Sequence, residues 1–257
     1  MFIQYFLVLN MNCSGSTSAA PESLHPSLWL ASQLARGAVH CIDTGHPTLS
    51  AQLPGGGWPA GALVDLLLQQ PGIGEMRLLR PALAQVASRR IVLLQPPHPP
   101  QALALAALGV PPSQLIWLRS ERSADALWAA EQVLKSGSCG ALLFWPGHAR
   151  QGHLRSDSLR RLHLAAQGGE TLFFMLRPLA VAQDASPAPL RIALRPQAGG
   201  IALDFIKRRG PQRDAPLFLP LDLPVPVNPY LQQRHATLDR TAPAPAPARG
   251  LRSELVH

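Results

Sequence analysis

The loop formed by residues 69–76 has a composition and spacing that bear on phosphate chemistry. It joins a short apolar run to an amphipathic segment, and a helix that begins after such a loop is a common place to bind phosphate. A working phosphate loop has the pattern G-x-x-x-x-G-K-[ST], in which backbone amides hold phosphate, the lysine reaches the terminal phosphates and the hydroxyl holds magnesium. The eight residues at the corresponding positions here are Gln69, Gln70, Pro71, Gly72, Ile73, Gly74, Glu75 and Met76.

This loop keeps only the second glycine of the pattern, as Gly74, and has Gln69 in place of the first. Glu75 stands at the lysine position, where a carboxylate would repel a triphosphate at a cost on the order of several kcal/mol in a partly dry site. Met76 offers no hydroxyl to magnesium, and Pro71 removes one amide from the phosphate cradle. We therefore expect no ATP hydrolysis and no nucleotide cofactor.

No other pattern in the chain predicts a catalytic or metal site. His148 and His153 are five residues apart without an acidic or thiol companion, and His98 lies between prolines. The motifs G-x-S-x-G and H-E-x-x-H do not occur. We expect a non-enzymatic protein without a bound metal. The cysteines, which match no zinc or C-x-x-C spacing, are Cys13, Cys41 and Cys139.

Short apolar runs alternate with amphipathic segments along most of the chain, which predicts an α/β fold with a mostly parallel central sheet flanked by helices. Leu190–Arg195 and Gly200–Lys207 alternate apolar with polar residues and predict an antiparallel edge. The predicted buried strands are Ala62–Leu68, Ile91–Leu94, Leu115–Leu118, Ala141–Trp145 and Thr171–Leu176. The predicted helices are Ser23–Arg36, Met76–Ser88, Gln101–Leu108, Ser123–Lys135 and Ser156–Ala166.

The composition divides the chain into one domain, residues 23–221, and two extensions. Residues 1–22 are expected to be disordered or a mis-annotated start, and their apolar run Met1–Asn10 is too short to span a bilayer. Residues 222–257 form a tail rich in proline, alanine and arginine that includes Thr241–Gly250 (TAPAPAPARG). Such a segment is expected to be extended and disordered, and either to be inert or to dock a partner.

The net charge of +8 favours nucleic acid or an acidic protein as a partner, although a generic soluble protein can have the same excess. Candidates for contact with DNA or a partner are Arg150, Arg155, Arg160 and Arg161, unless they form a solvated helix face. Lys207, Arg208 and Arg209 form a second group in a predicted edge-strand hairpin, where basic residues also discourage aggregation. No membrane contact is expected.

Five aromatic residues lie mostly in apolar runs and are predicted to be buried in the core. They do not interleave with basic residues, so we do not expect them to stack on nucleic-acid bases. These residues are Trp58, Trp117, Trp128, Phe144 and Trp145.

The order of elements from Pro54 to Ser88, with the segment LPGGGWPAGALVDLL, resembles the opening unit of the recombinase RecA, and the resemblance continues to about Pro220. In a RecA-like core the magnesium-binding Asp would fall near Trp145 and the water-activating Glu near Pro97, so both ATPase groups are lost. The mobile DNA loop would lie between residues 177 and 190. Here that segment is short and rich in alanine and proline, which argues against a recombinase-like filament on DNA.

Four segments together, PGGGWPAGALVDLL, PGIGEMRLLRPAL, ALLFWPG and LRRLHLAAQGGETLFFMLRP, resemble the ImuA family over residues 24–229. That family has the RecA architecture without the ATPase residues and is related to the cell-division inhibitor SulA. The resemblance implies an accessory protein of SOS-induced mutagenic translesion DNA synthesis, in the cytoplasm and at the nucleoid when acting.

The implied partners are an ImuB-type relative of Y-family polymerases and a replicative-type DNA polymerase alpha subunit, with DNA and RecA as further candidates. The alternative from the same resemblance is a SulA-type inhibitor of cell division that is induced by DNA damage. The protein partners differ between these two functions, and the residues alone do not separate them.

Overall fold

The computed structural model describes residues 40–107, 109–146, 154–209 and 215–221. The extension 1–22, the predicted helix Ser23–Arg36 and the tail 222–257 lie outside these ranges, as do Arg150, His148 and His153. Within the described ranges, no helix is long and apolar enough to cross a membrane.

Ten strands and five α-helices form in the described part of the chain, with short 3-10 turns at Pro54–Gly56, Pro112–Gln114 and Leu179–Val181. The strands are β1 (Cys41–Asp43), β2 (Gly57–Pro59), β3 (Leu63–Leu68), β4 (Arg90–Leu94), β5 (Leu115–Leu118), β6 (Cys139–Phe144), β7 (Leu172–Pro178), β8 (Leu190–Gln197), β9 (Gly200–Lys207) and β10 (Leu217–Pro220). The helices are α1 (Pro47–Ser50), α2 (Glu75–Gln85), α3 (Ala102–Ala107), α4 (Ser123–Ser136) and α5 (Ser156–Ala166).

The main sheet has eight strands in the order β10-β9-β8-β3-β7-β6-β4-β5. The six strands from β8 to β5 pair in parallel, whereas β9 and β10 pair antiparallel at one edge. Strands β1 and β2 form a separate antiparallel pair. The arrangement confirms the predicted α/β fold with a mostly parallel sheet, flanking helices and an antiparallel edge.

Helices cover both faces of the parallel part of the sheet. Leu78 and Leu83 of α2 and Leu105 of α3 pack into the larger apolar core on one face. Ala130 of α4 and Leu162 of α5 pack into a second core on the other face. Because both faces are covered, the central strands are apolar along their length, which is why they appear in the sequence as continuous apolar runs.

Local sequence accounts well for the longest helix, α4. Asp125 lies in its first turn and Lys135 in its last turn, where each charge complements the helix dipole. The helix stops at Gly137, whose backbone has the left-handed conformation (φ 60°) that glycine adopts at low cost. Predicted and observed bounds of this helix therefore agree to within one residue.

The antiparallel edge contains one strand that the sequence did not predict. Lys207, Arg208 and Arg209 are predicted to lie in an edge-strand hairpin, and β9 pairs antiparallel with β8 up to Lys207. The four-residue strand β10 pairs only with residues 200–203 of β9, so it does not cover the end of β9 that carries Lys207. The roles predicted for these basic residues, in a partner contact or against aggregation, stay predictions.

Two of the five aromatic residues predicted to be core are exposed. Trp58, Phe144 and Trp145 are buried, whereas Trp117 is 46% exposed and Trp128 is 63% exposed. Trp117 lies on β5, the last strand of the sheet, and Trp128 lies on the solvent side of α4. Apolar spacing predicted the element correctly in both cases, but not which side of it meets solvent.

A buried ion cluster ties three neighbouring parallel strands together. Asp65 of β3 accepts hydrogen bonds from the Nε (2.9 Å) and Nη2 atoms of Arg177 on β7 and from Nε of Arg191 on β8 (3.0 Å). Arg191 also donates to the carbonyl oxygens of Val181, Ala182 and Asp184. Both side chains of the Asp65–Arg177 pair are fully buried. The single acidic residue in the run LVDLLL was the sequence signal for this cluster.

Replacing Asp65 with alanine should lower the free energy of unfolding by about 3–5 kcal/mol, because two buried guanidinium groups would lose their counter-charge. Urea denaturation of the native protein and the variant measures the loss. Asp204→Ala is the matched control, since Asp204 pairs with Arg195 at an exposed position and should change stability by less than about 1 kcal/mol. Equal losses in the two variants would contradict a special role for the buried cluster.

Candidate functional site

The loop predicted to be a degenerate phosphate loop runs from the end of β3 to the start of α2. Gly74 immediately precedes α2 and has φ 121°, a backbone conformation that side chains rarely permit. A Cβ atom at this position would lie 3.0 Å from Cδ1 of Leu221 and 3.4 Å from Cγ2 of Ile201. Conformation and crowding therefore both require glycine here, independently of any phosphate.

The carboxylate of Glu75 is bound to the amides of its own loop. The N–H of Gly72 donates to Oε1 at 2.7 Å and the N–H of Gly74 donates to Oε2 at 3.1 Å. The residue is only 4% exposed. In a phosphate loop such amides hold the ligand. Here an internal carboxylate is the acceptor for two of the loop amides, so in the predicted phosphate loop these two donors already have a partner.

The neighbours of Glu75 close the loop from the other side. Met76, predicted to stand at the position of the magnesium-binding hydroxyl, packs against the larger apolar core. Arg77 donates from Nη1 to the carbonyl oxygen of Leu221 at 3.3 Å, which joins the start of α2 to the residue after β10. Leu221, the last described residue, is therefore held beside this loop.

A groove of about 530 Å³ lies at the carboxyl ends of the parallel strands β3 to β7. Ligands of open α/β sheets commonly bind at this end of the strands. Four residues that stand where a RecA-like ATPase would need other groups line this groove together, although they come from separate parts of the chain. These residues are Gln69, Pro71, Pro97 and Trp145.

The same groove contains features that the sequence did not predict. Trp117 of β5 and Arg119, the residue directly after that strand, both line it. Gln95 has φ 57°, and it is the one residue other than glycine with positive φ among the described residues. The side-chain amide of Gln95 donates to the carbonyl oxygen of Ser120. This hydrogen bond holds the turn after β4 against the turn after β5. No cluster of three metal-binding side chains occurs in the described ranges.

Part of the predicted basic surface converges on a second, shallower hollow of about 430 Å³. Arg160 and His163 of α5 line this hollow together with Ser186. Lys207, at the end of β9, donates from Nζ to the carbonyl oxygen of Ser186 at 3.0 Å. We call Arg160, His163, Lys207 and Arg209 the cationic hollow. The tertiary structure thus joins residues from the two basic groups that are far apart in the sequence.

The remaining basic candidates lie elsewhere. Arg161 pairs with Glu131 of α4, which also binds Lys135 at 2.8 Å. Arg208 donates to the carbonyl oxygen of Gln52 at 2.6 Å and lies 4.8 Å from the centre of the Phe205 ring. These arginines have structural partners within the chain. Arg155 is exposed just before α5, and Arg150 lies outside the described residues.

Burial and the neighbouring positive charges of the cationic hollow both affect the pKa of His163. Burial lowers the pKa of His163 below its ordinary value, and the positive charges of Lys207 and Arg209 lower it further. Nδ1 of the ring is the partner of the backbone N–H of Leu63 at 3.3 Å, which requires that nitrogen to be unprotonated. At neutral pH the positive charge of the hollow therefore comes from arginine and lysine, not from this histidine.

Comparison with known proteins relates part of the chain to one curated protein. Over 103 residues the chain is 32% identical to the cell division inhibitor SulA of Edwardsiella piscicida. The matched stretch makes up 39% of this chain and 58% of the length of that SulA protein. No protein-family model matches the chain. These findings support a SulA-related relationship for part of the chain.

Glu75→Ala should lower the free energy of unfolding by about 1–3 kcal/mol, since the buried amide of Gly74 and the partly buried amide of Gly72 would lose their acceptor. Glu75→Gln, which keeps one acceptor oxygen, should lose less. Urea denaturation measures both changes. Glu121→Ala, at an exposed carboxylate of the groove, is the control and should stay within about 0.5 kcal/mol of the native protein. A fully stable Glu75→Ala variant would show that the carboxylate does not hold the loop.

Lys207→Ala should raise the pKa of His163, because the neutral form of the ring would no longer be favoured by that positive charge. An NMR titration of the imidazole protons measures the shift. Lys135→Ala removes a lysine that pairs with Glu131 on α4 and should leave the pKa of His163 unchanged. If the pKa of His163 is the same in the native protein and in Lys207→Ala, the charge of Lys207 does not act on the His163 ring.

Proposed function

We propose that this protein is a non-catalytic, RecA-like accessory factor of SOS-induced mutagenic translesion DNA synthesis, as members of the ImuA family are. The observation that carries the proposal is the carboxylate of Glu75 bound to the amides of Gly72 and Gly74. A domain whose phosphate loop is occupied by its own side chain is suited to a role through protein contacts. ATP turnover would need those amides and the lost lysine.

The similarity to SulA supports the wider setting of the proposal. The ImuA-family resemblance joins RecA-like architecture, loss of the ATPase residues and a relationship to SulA in one kind of protein. Each of these three features agrees with the α/β fold, the substituted loop and the partial SulA match of this chain. The proposed partners are an ImuB-type polymerase relative and a replicative-type DNA polymerase alpha subunit.

The cationic hollow is the proposed surface for an anionic partner, either DNA or an acidic face of a protein. Arg160, Lys207 and Arg209 put three positive charges around one hollow without an acidic residue among its lining residues. Phosphate contacts of this kind would lose affinity steeply with rising salt. RecA is a further candidate partner of the protein.

A SulA-type inhibitor of cell division is the second candidate function. The match to SulA favours it, since the matched protein itself has that name. Against it, the matched stretch is a minority of this chain. The chain also has a proline-rich tail after residue 221. In a multi-protein repair complex, such a tail would serve as a docking segment for a partner. Both candidates are proteins that act by binding, so the identity of the bound protein separates them.

Affinity purification from cells treated with a DNA-damaging agent should recover the polymerase-like partners with the full-length protein, identified by mass spectrometry. A version ending at Val227 tests whether the tail makes the contact. Arg160→Glu with Lys207→Glu tests the cationic hollow. Arg80→Glu, at an exposed position on α2 and on the other face of the sheet, is the control for a charge reversal away from the hollow.

Recovery of the polymerase-like proteins by the native chain and by Arg80→Glu, with loss in the double variant, would support both the function and the surface. If the double variant recovers as much of the polymerase-like proteins as the native chain, the contact lies outside the cationic hollow, and the proposed function stands. If only a cell-division protein is recovered, the division-inhibitor function is correct and the translesion assignment is wrong.

A further inference from the structure

The groove at the carboxyl ends of β3 to β7 has unused hydrogen-bond donors. Three buried side-chain nitrogens lack a partner in the described residues, and two of them, Nε1 of Trp145 and Nη1 of Arg177, belong to residues that line this groove. Both residues are more than nine-tenths buried. Both nitrogens are closed off from solvent, so an acceptor oxygen of a ligand reaches them only if side chains of the groove wall shift. Since buried donors are normally paired, their lack of a partner singles out this groove among the described surfaces.

The groove wall combines proline rings and a tryptophan with polar side chains. Pro96, Pro97 and Pro99 line it after β4, and Trp117, which is 46% exposed, lines it from β5, together with polar residues such as Gln69. Proline rings and an exposed tryptophan face are the surfaces against which proline-rich peptides pack in a polyproline helix. The carbonyl oxygens of such a peptide can accept hydrogen bonds from polar side chains of the wall, while its prolines bring no N–H groups that need a partner.

Charge argues against a nucleic acid in this groove. Arg119 and Glu121 stand two residues apart on the wall, and the charge of Arg177 is already paired with Asp65. A strand of nucleic acid needs a clearly positive channel beside its stacking residues. The nearly balanced charge of the groove fits a peptide with few charges better.

The chain carries a peptide of this kind within reach. Leu221, the last described residue before the tail, is held by Arg77 at the loop whose residues Gln69 and Pro71 border the groove. Nineteen residues separate Leu221 from the segment Thr241–Arg249 (TAPAPAPAR). A flexible linker of that length spans roughly 25 Å on average, comparable to the size of a small domain. Tethering also raises the effective concentration of the segment to the millimolar range for a short linker.

We propose that the segment Thr241–Arg249 docks as a polyproline helix in the groove lined by Trp117 and Trp145. Its proline rings pack on Trp117 and lie beside Trp145. The tail then covers the ligand end of the sheet from within the same chain. Any other ligand of the groove, including a partner protein, must displace the tail. This proposal does not depend on the function proposed above.

The test compares the native full-length chain with the variant P243A/P245A/P247A by NMR of the indole N–H groups, assigned by single Trp→Phe substitutions. The resonances of Trp117 and Trp145 should differ between the two chains, because only the native tail keeps the polyproline geometry. The resonance of Trp128, exposed on α4 at the other face of the sheet, should be the same in both and serves as the control.

Adding a synthetic peptide of residues 241–249 to the variant should return both groove resonances towards their native positions. A peptide with alanine in place of each proline should not. Trp117→Ala in the variant should weaken binding of the peptide on the order of tenfold, the effect of losing a central aromatic contact, while Trp128→Ala should leave it unchanged.

Identical Trp117 and Trp145 resonances in native chain and variant would overturn the proposal. The proposal would also be wrong if the Trp117 and Trp145 resonances are the same with and without the native tail but shift when an oligothymidine strand is added. That result would assign the groove to nucleic acid. A tail-dependent shift that disappears on dilution would place the segment in the groove of a second copy, and docking within one chain would be wrong.

Discussion

The buried carboxylate of Asp65 is the interaction on which the most distinctive parts of this domain depend. It pairs with Arg177 and Arg191 and so joins β7, β3 and β8 in the middle of the sheet. Arg191 then anchors the carbonyl oxygens of residues 181–184, and the residues that follow form one wall of the cationic hollow. Arg177 lies at the groove on the other side. Two candidate surfaces thus share one internal counter-ion, and a buried charge of this kind is costly to leave unpaired.

The loop of residues 69–76 joins β3 to α2 with its own carboxylate as the bound anion. Gly74 has a backbone conformation that strongly favours glycine, and a side chain there would crowd Leu221 and Ile201. The start of a helix attracts an anion, and Glu75 supplies it here. An internal carboxylate stabilises the loop without exchange, whereas a nucleotide would make it responsive to ligand concentration.

The carboxyl end of the sheet brings the loop of residues 69–76, Leu221 and the groove into one region. Arg77 binds the carbonyl oxygen of Leu221 beside that loop. The cationic hollow lies in a different place, at α5 and the end of β9. The two proposed binding surfaces are therefore separate, so an anionic partner and a peptide would not compete for one site.

Apolar periodicity in the sequence by itself determined the α/β fold and most element bounds, because strand and helix periods are local properties. Motif spacing is local too, and from it comes the prediction that residues 69–76 form a substituted phosphate loop. Only the tertiary structure decided that β10 pairs with the first half of β9, that Trp117 is exposed on the last strand, and that Arg160 and Lys207 lie around one hollow while Arg161 and Arg208 have structural partners. Each of these depends on which strand lies at the edge and which segments become neighbours. Contacts between distant residues, such as the Asp65 cluster, are set by packing and leave only a faint trace in the sequence, here one charge within an apolar run.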